Sequence, residues 1–496
     1  MVEAREQLEK LLKRGVSDIL AASELADKDP ARPEYHFHSP SQWMDDPNGI
    51  IYHKEYYHMM YSLNPNTSKH RAGMVYKTAH RIWDPNHEDW TGGITVWGHA
   101  RSKDLVHWEH LPIALYPMIE KGEHFIWFGT TALNENGTPI AIYTSVGPEK
   151  RPEDTTDQWL WFGDDDLITW KPAEENPVLD YDVHGGEVLT EWRDPFVVKH
   201  EGKGYLILGA KRIGKDKNDA VIALYEARNP EYTKWSYKGV IFSLDNESAP
   251  SCECPNLVKI QDKWVILLSP HGAVEYYIGD MDFENARFAV ESNGVVDFST
   301  NFYATNVLED AKGRKIMWGA VEGFRNTNGW NGCVSLPRQL EISDDGHLIQ
   351  CPVEELKMLR KEKEVFSGTL EPGINRELFR LESGTAEVIL HIKQDGIIKI
   401  LLPCNEKIEI VIAKDSICAG DKSAVLEKKE KRVLNIYLDK TVIEIFLPDG
   451  TCLTSVLSEP LTGGKVEIIA EQGKSYIEAE AYNLNCTDLF SKELFC

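Results

Sequence analysis

Three carboxylates in this chain sit in local sequences that could do chemistry. Asp46 lies in Trp43-Met44-Asp45-Asp46-Pro47-Asn48-Gly49, Asp194 in Trp192-Arg193-Asp194-Pro195, and Glu253 in Cys252-Glu253-Cys254-Pro255. Each adjoins a proline turn beside a strand-like run. Paired carboxylates are a standard means of cleaving a glycosidic bond. One attacks the anomeric carbon, and the other, protonated, donates to the leaving oxygen. Their surroundings must push their pKa values apart. Arg193 beside Asp194 favours the ionised form, and the uncharged thiols of Cys252 and Cys254 favour a protonated Glu253. Each motif taken alone also reads as a plain turn. Their order along a repeating chain points to chemistry.

Such groups need a scaffold that brings distant segments together. After Pro33, short apolar-aromatic runs alternate with turn residues, as in 56–61, 139–144, 204–209 and 264–269. Each reads as a five- or six-residue strand, and the pattern is all-β. Ser102–Trp108 resembles Asp164–Trp170; Asn229–Trp235 and Asp280–Phe288 are weaker copies. A period of about 60 residues suits one four-stranded propeller blade, so some 300 residues make about five blades. Inner strands of different blades would then aim the three carboxylates into one funnel.

The expected organisation is an N-terminal helical extension (1–32), a five-bladed β-propeller (33–345), a linker (346–367) with a short helix at 354–364, and a β-sandwich (368–496). Leu8, Leu11, Leu12, Val16, Ile19 and Leu20 mark the N-terminal helix at i, i+3, i+4 spacing. The sandwich offers a candidate homodimer face, with no residue singled out.

The 496 residues carry 42% hydrophobic side chains, enough for a sizeable core and too many for a disordered chain. A net charge of −25 argues against a nucleic-acid binder. Nine cysteines without CxxC spacing suit neither a disulfide framework nor a zinc site. Reduced thiols, a charged N-terminus and the lack of a long apolar run fit a cytoplasmic protein without a membrane span.

As an ordered set these motifs resemble glycoside hydrolase family 32, the invertase, fructanase and sucrose-6-phosphate hydrolase group. Trp43–Gly49, Arg193-Asp194-Pro195 and Glu253-Cys254-Pro255 are similar to its three acidic motifs. Trp97-Gly98-His99-Ala100, Gly329-Trp330, Leu336-Pro337-Arg338 and Val442–Phe446 also match. The resemblance covers roughly residues 33–460 and implies a five-bladed propeller followed by a sandwich. It implies that Asp46 is the nucleophile, Glu253 the acid/base, and Asp194 the stabiliser of the fructosyl transition state. It implies substrate contacts from Trp43, Asp45, Asn48, Trp97, Phe128, Thr131, Arg193 and Trp330. No metal or organic cofactor is implied. The resemblance implies a small fructoside as partner, cleaved with retention.

The chain departs from the family pattern at Asp45, where Asn is usual, at Phe128-Gly129-Thr130-Thr131, where Phe-Ser-Gly-Ser is typical, and at Asn301. It also carries a longer segment at 64–96. These departures are expected at the pocket rim or in the sugar-binding shell. Asp45 is expected to turn partly away or to bind a sugar hydroxyl. Lys69, His70, Arg71 and His124 are candidates for meeting a phosphate, against the plainer expectation of loop polarity. The leading expectation is a β-fructofuranosidase. The alternatives are a fructosyltransferase on the same site, a catalytically silent carbohydrate binder, and a five-bladed glycosidase acting on arabinofuranosides, which the Trp43–Gly49 segment does not suit.

Overall fold

The computed structural model describes residues 2–69, 75–77, 80–82, 94–147, 156–214, 218–244, 249–325, 327–406 and 408–495. Strands dominate, as the alternating apolar runs require. One long helix, α1 (Val2–Lys28), opens the chain. It buries Leu8 and Ile19, while Leu11, Leu12 and Val16 are half-buried. Leu20, expected on the same face, is exposed instead. Among the described residues no helix is long and apolar enough to cross a membrane.

Five sheets follow, each opened by a strand that starts near a proposed motif or its counterpart. These opening strands are β1 (Gln42–His53), β2 (Phe125–Leu133), β3 (Leu189–His200), β4 (Glu253–Ile260) and β5 (Phe302–Glu309). Each pairs antiparallel with the next strand in sequence. The opening strands also contact one another in a closed cycle, β1 to β2, β3, β4, β5 and back to β1. That cycle brings residues more than 200 positions apart around one axis.

The sequence repeat has a local physical cause. In the first four sheets it forms the hairpin between the third and fourth strands. A carboxylate or amide oxygen there accepts successive backbone N–H groups: Asp104 from Val106 and His107, Asn229 from Thr233 and Lys234, Asp282 from Glu284 and Asn285. Asp164 does the same for Ile168 and Thr169. Leu105, Leu167 and Tyr232 take left-handed φ values of 66°, 60° and 64° and bury their side chains. The motif therefore encodes a turn capped by an Asx side chain and pinned by an apolar residue.

The C-terminal part forms two six-stranded antiparallel sheets over one apolar core, which includes Leu390, Ile436, Ile445 and Ile468. The expected helix at 354–364 is not present. Leu348–Pro352 is a strand of the fifth sheet, Glu354–Leu359 a single 3-10 segment, and Arg360–Leu370 already a strand of the C-terminal sheets. Leu356 and Leu359 are both buried. Their spacing of three suits the 3-10 repeat, which stacks i over i+3.

A buried ionic cluster joins the two regions. Arg338 donates to Glu444 Oε2 at 2.6 Å and to Asp297 Oδ2 at 3.0 Å. His36 sits between Asp439 (2.7 Å) and Glu444 (2.9 Å). Removing one partner of such a buried set costs roughly 3–5 kcal/mol. Burial pushes the His36 pKa down, but the two carboxylates outweigh it and raise it to about 9. With the folded pKa above the ordinary 6.5, the contribution is full below that value and disappears as pH rises through 9. Melting temperature should therefore fall between pH 7 and 10. In thermal melts His36→Gln should start lower and lose less over that interval; parallel curves would assign the alkaline loss elsewhere.

Candidate functional site

The opening strands share one irregularity. Three steps along each face only two along its neighbour, at Met44–Pro47, Ile126–Gly129, Arg193–Phe196, Glu253–Asn256 and Tyr303–Asn306. A bulge adds one residue and re-aims the side chains beside it. Asp45, Asp46, Arg193, Asp194, Glu253 and Tyr303 all stand at these bulges. Asp194 and Cys254 adopt left-handed φ values of 66° and 46°, a strained state for non-glycine residues.

Glu253 is held from three sides. Arg193 donates to Oε1 through Nη2 at 2.7 Å and through Nε at 3.3 Å. Tyr303 donates its hydroxyl to Oε2 at 2.6 Å, and His271 Nε2 lies 3.0 Å from the same oxygen. Tyr303 in turn accepts the backbone N–H of His271 at 3.0 Å. Asp194 Oδ2 accepts the backbone N–H of Cys254 at 2.9 Å, so it is tied to the residue next to Glu253. The Asp194 N–H donates to Thr144 Oγ1 at 2.8 Å, which fixes the bulge from the second sheet.

The electrostatics overturn one expectation. Burial raises the Glu253 pKa, but Arg193 and then His271 and Tyr303 pull it well below the ordinary carboxylate range. The flanking cysteines do not keep Glu253 protonated, because Arg193 supplies a full charge at hydrogen-bond distance. Arg193 is itself buried, and it also binds Glu191. Burial lowers its pKa, and the surrounding carboxylates more than reverse this.

A cavity of about 700 Å³ opens beside this cluster. Its wall includes Trp43, Asp45, Glu253, His271, Tyr303 and Phe324. Asp45 is thus on the cavity wall rather than turned away. Asp46 is half-buried at the adjoining bulge, and Asp194 is buried at the bulge of β3, tied to Cys254 beside Glu253; neither is among the residues that line this cavity.

The remaining expected contact residues lie deeper. Asn48, Trp97, Phe128, Thr131 and Trp330 are buried. With its amide turned to satisfy both ends, the Asn48 oxygen accepts from Ser62 N–H at 3.0 Å and Trp97 Nε1 at 3.2 Å. The Trp97 indole N–H also reaches the Trp127 carbonyl at 2.9 Å. Thr131 Oγ1 contacts Met60 Sδ at 3.5 Å. Trp330 donates to Asp29 at 2.7 Å, just past α1, so the helix end positions the strand that carries Asn331 to the cavity wall. Each of these side chains is buried close to a bulge, and all but Phe128 have the protein partners just given. Gly129 belongs with them: a Cβ there would come within 2.1 Å of the Ile142 carbonyl oxygen. The missing serine hydroxyl is thus explained by close strand packing.

His124 is buried, which removes it from the exposed loop set, and Lys69 is exposed. His70 and Arg71 lie outside the described residues. The sequence reading missed Tyr303 and His271 as partners of Glu253. It also missed Asn256, which binds the carbonyls of Cys254 (2.9 Å) and Thr305 (2.8 Å), and Asn306, which reaches Gly129 O across the ring at 3.3 Å. A signal existed for these amides: Asn256 and Asn306 close the bulges of their opening strands, and Asn48 stands one residue past its own.

His271 offers a test of the electrostatics. With its imidazole removed in His271→Asn, Glu253 should hold a proton to higher pH. If Glu253 is the general acid, the alkaline limb of kcat/KM should move upward in pH. An unmoved limb would mean that His271 does not tune this carboxyl in the working enzyme.

Clustered carboxylates beside an aromatic-walled cavity on an all-β frame define a glycosidase-type site. Residues 36–81 and 72–352 match the glycosyl hydrolases family 32 N-terminal domain. The chain belongs to glycosyl hydrolase family 32. It is 27% identical to the sucrose-6-phosphate hydrolase of Bacillus subtilis (strain 168), over 96% of this chain and 99% of that protein. It is 30% identical to the levanase of the same organism, over 71% of this chain and 51% of that one. In fold it is similar to fructan 1-exohydrolase IIa from Cichorium intybus in complex with 1-kestose, with a TM-score of 0.78 and 21% identity, over 94% of this chain and 99% of that chain.

Proposed function

We propose that this chain is a retaining β-fructofuranosidase whose five sheets form a five-bladed propeller with the site at its centre. The observation that carries the reading is the placement of Asp46, Asp194 and Glu253 at the bulged ends of three opening strands that close one ring. The two C-terminal sheets form a sandwich, joined to the propeller at the 3-10 segment rather than by a long linker.

In the first step Asp46 attacks the anomeric carbon of the fructosyl unit. The glycosidic bond breaks, and Glu253 gives its proton to the leaving oxygen. In the second step Glu253 takes a proton from water, the water attacks the same carbon, and the ester to Asp46 breaks. Two inversions give net retention. Asp194 accepts hydrogen bonds from the fructose hydroxyls. Glu253 must hold a proton before the first step, although Arg193 favours its ionised form. A sugar closing the cavity strips water from Glu253 and raises its pKa, which supplies the acid in the complex. Trp43 and Phe324 offer apolar faces to the ring.

The named relatives, a sucrose-6-phosphate hydrolase, a levanase and a fructan exohydrolase, favour sucrose-6-phosphate or a short fructan as substrate, while the absence of CxxC spacing and the charged N-terminus are what support a cytoplasmic setting. Fructose release from sucrose, sucrose-6-phosphate, short inulin-type and levan-type oligosaccharides and the polymers tests the reading. Release from at least one small fructoside is expected. Silence across the panel from folded protein would overturn it.

A further inference from the structure

The outer face of one C-terminal sheet carries an arrangement of charge unlike the lysines around it. Three of its neighbouring strands are β7 (Thr385–Gln394), β8 (Lys431–Asp439) and β9 (Ser475–Leu484), with β6 (Arg360–Leu370) at the edge. Lys393 on β7 is the direct cross-strand partner of Lys431 on β8 and of Tyr476 on β9. In the next row on that face His391 stands between Val433 and Glu478. Like charges directly opposite on a sheet are destabilising.

Elsewhere on these sheets the same residue type is matched. Lys399 pairs with Glu471 at 2.7 Å and Glu409 at 3.4 Å, Lys363 with Glu480 at 3.0 Å, and Lys465 with Glu377 at 2.7 Å. Lys393 and Lys431 have no ion pair among the described residues. The two carboxylates on this wall form no ion pair with either lysine among the described residues: Glu478 accepts from Tyr476 OH at 3.0 Å, and Asp449 lies 3.6 Å from Lys429. The two lysines line a groove of about 680 Å³ with His391, Tyr476, Leu447 and Pro448. Lys429, Arg432, Asp449 and Glu478 also line it, so four cations face two carboxylates around an apolar floor of Ile392, Val433, Leu447 and Pro448.

We propose that this groove is a binding site for a monophosphate ester of a sugar-sized molecule. The phosphate would lie between Lys393 and Lys431 and turn a repulsive pair into a bridged one. The apolar wall and the Tyr476 ring would take the sugar's C–H face. A net charge of −25 opposes the approach of a second copy of this chain far more than that of a small dianion. The inference is independent of the catalytic reading, since none of these residues belongs to that site.

The test is calorimetric titration of the full chain with fructose 6-phosphate, fructose and inorganic phosphate at matched ionic strength. It is repeated on Lys393→Gln/Lys431→Gln, with sucrose cleavage and circular dichroism as checks on the fold. Fructose 6-phosphate should bind the parent chain, and the double variant should bind about tenfold or more weakly. Fructose should not bind this groove. Equal affinity in parent and variant would place the ligand elsewhere and overturn the proposal. So would an absence of binding, or inorganic phosphate binding as tightly as the ester. Self-association in sedimentation that the double variant abolishes would assign the groove to a second copy instead. If the double variant fails to fold, Lys431→Gln alone must show a weakened titration.

Discussion

Asp46→Asn should lower turnover by on the order of 10⁴-fold or more while the protein keeps its fold. The amide cannot form the fructosyl ester, so the first step loses its nucleophile. The cost to stability should be small, because Asp46 is only half-buried at an irregular strand position. Fructose release and a thermal melt on the same preparation read both quantities. Activity within tenfold of the parent would remove Asp46 from the nucleophile's role. The neighbouring Asp45, on the cavity wall, would become the residue to test next.

Glu253→Gln should show a loss that depends on the leaving group. With sucrose the departing oxygen needs a proton, and losing the general acid costs roughly 10²–10⁴-fold. An activated aryl fructoside leaves without help, so its first step should be far less affected, and the fructosyl-enzyme should accumulate. A single-turnover burst followed by slow release is the expected trace. Equal losses on both substrates would argue that Glu253 only positions Arg193. That contrast matters because Glu253 is already hydrogen-bonded to Arg193 and Tyr303. Gln can keep one of those contacts, so packing alone should not explain a substrate-dependent effect.

Much of the architecture was legible because it is written locally. The repeat ending in Trp108, Trp170 and Trp235 reports a capped hairpin that recurs from one sheet to the next. The three acidic motifs were readable because each combines a carboxylate with a turn at the start of a strand. The electrostatics of Glu253 were not readable in that way. Its sequence neighbours are neutral thiols, yet its controlling partner, Arg193, comes from the preceding sheet, and His271 and Tyr303 arrive from other segments. Strand neighbours point to opposite faces, so adjacency in sequence says little about charge environment. The depth of Asn48, Trp97 and Trp330 was hidden for a related reason. A polar or aromatic residue beside a motif does not announce its partners, here Ser62, Trp127 and Asp29, because they come from distant segments. The 3-10 segment at Glu354–Leu359 looked helical because its apolar spacing fits one turn of either helix.

The most direct test of the account is the stereochemistry of transfer. Sucrose cleavage in aqueous methanol traps the fructosyl group as a methyl fructofuranoside, whose configuration is stable and is read by carbon NMR. Double displacement through Asp46 and Glu253 predicts methyl β-D-fructofuranoside alone. The α anomer, or a mixture of the two, would contradict a covalent fructosyl-enzyme at this site.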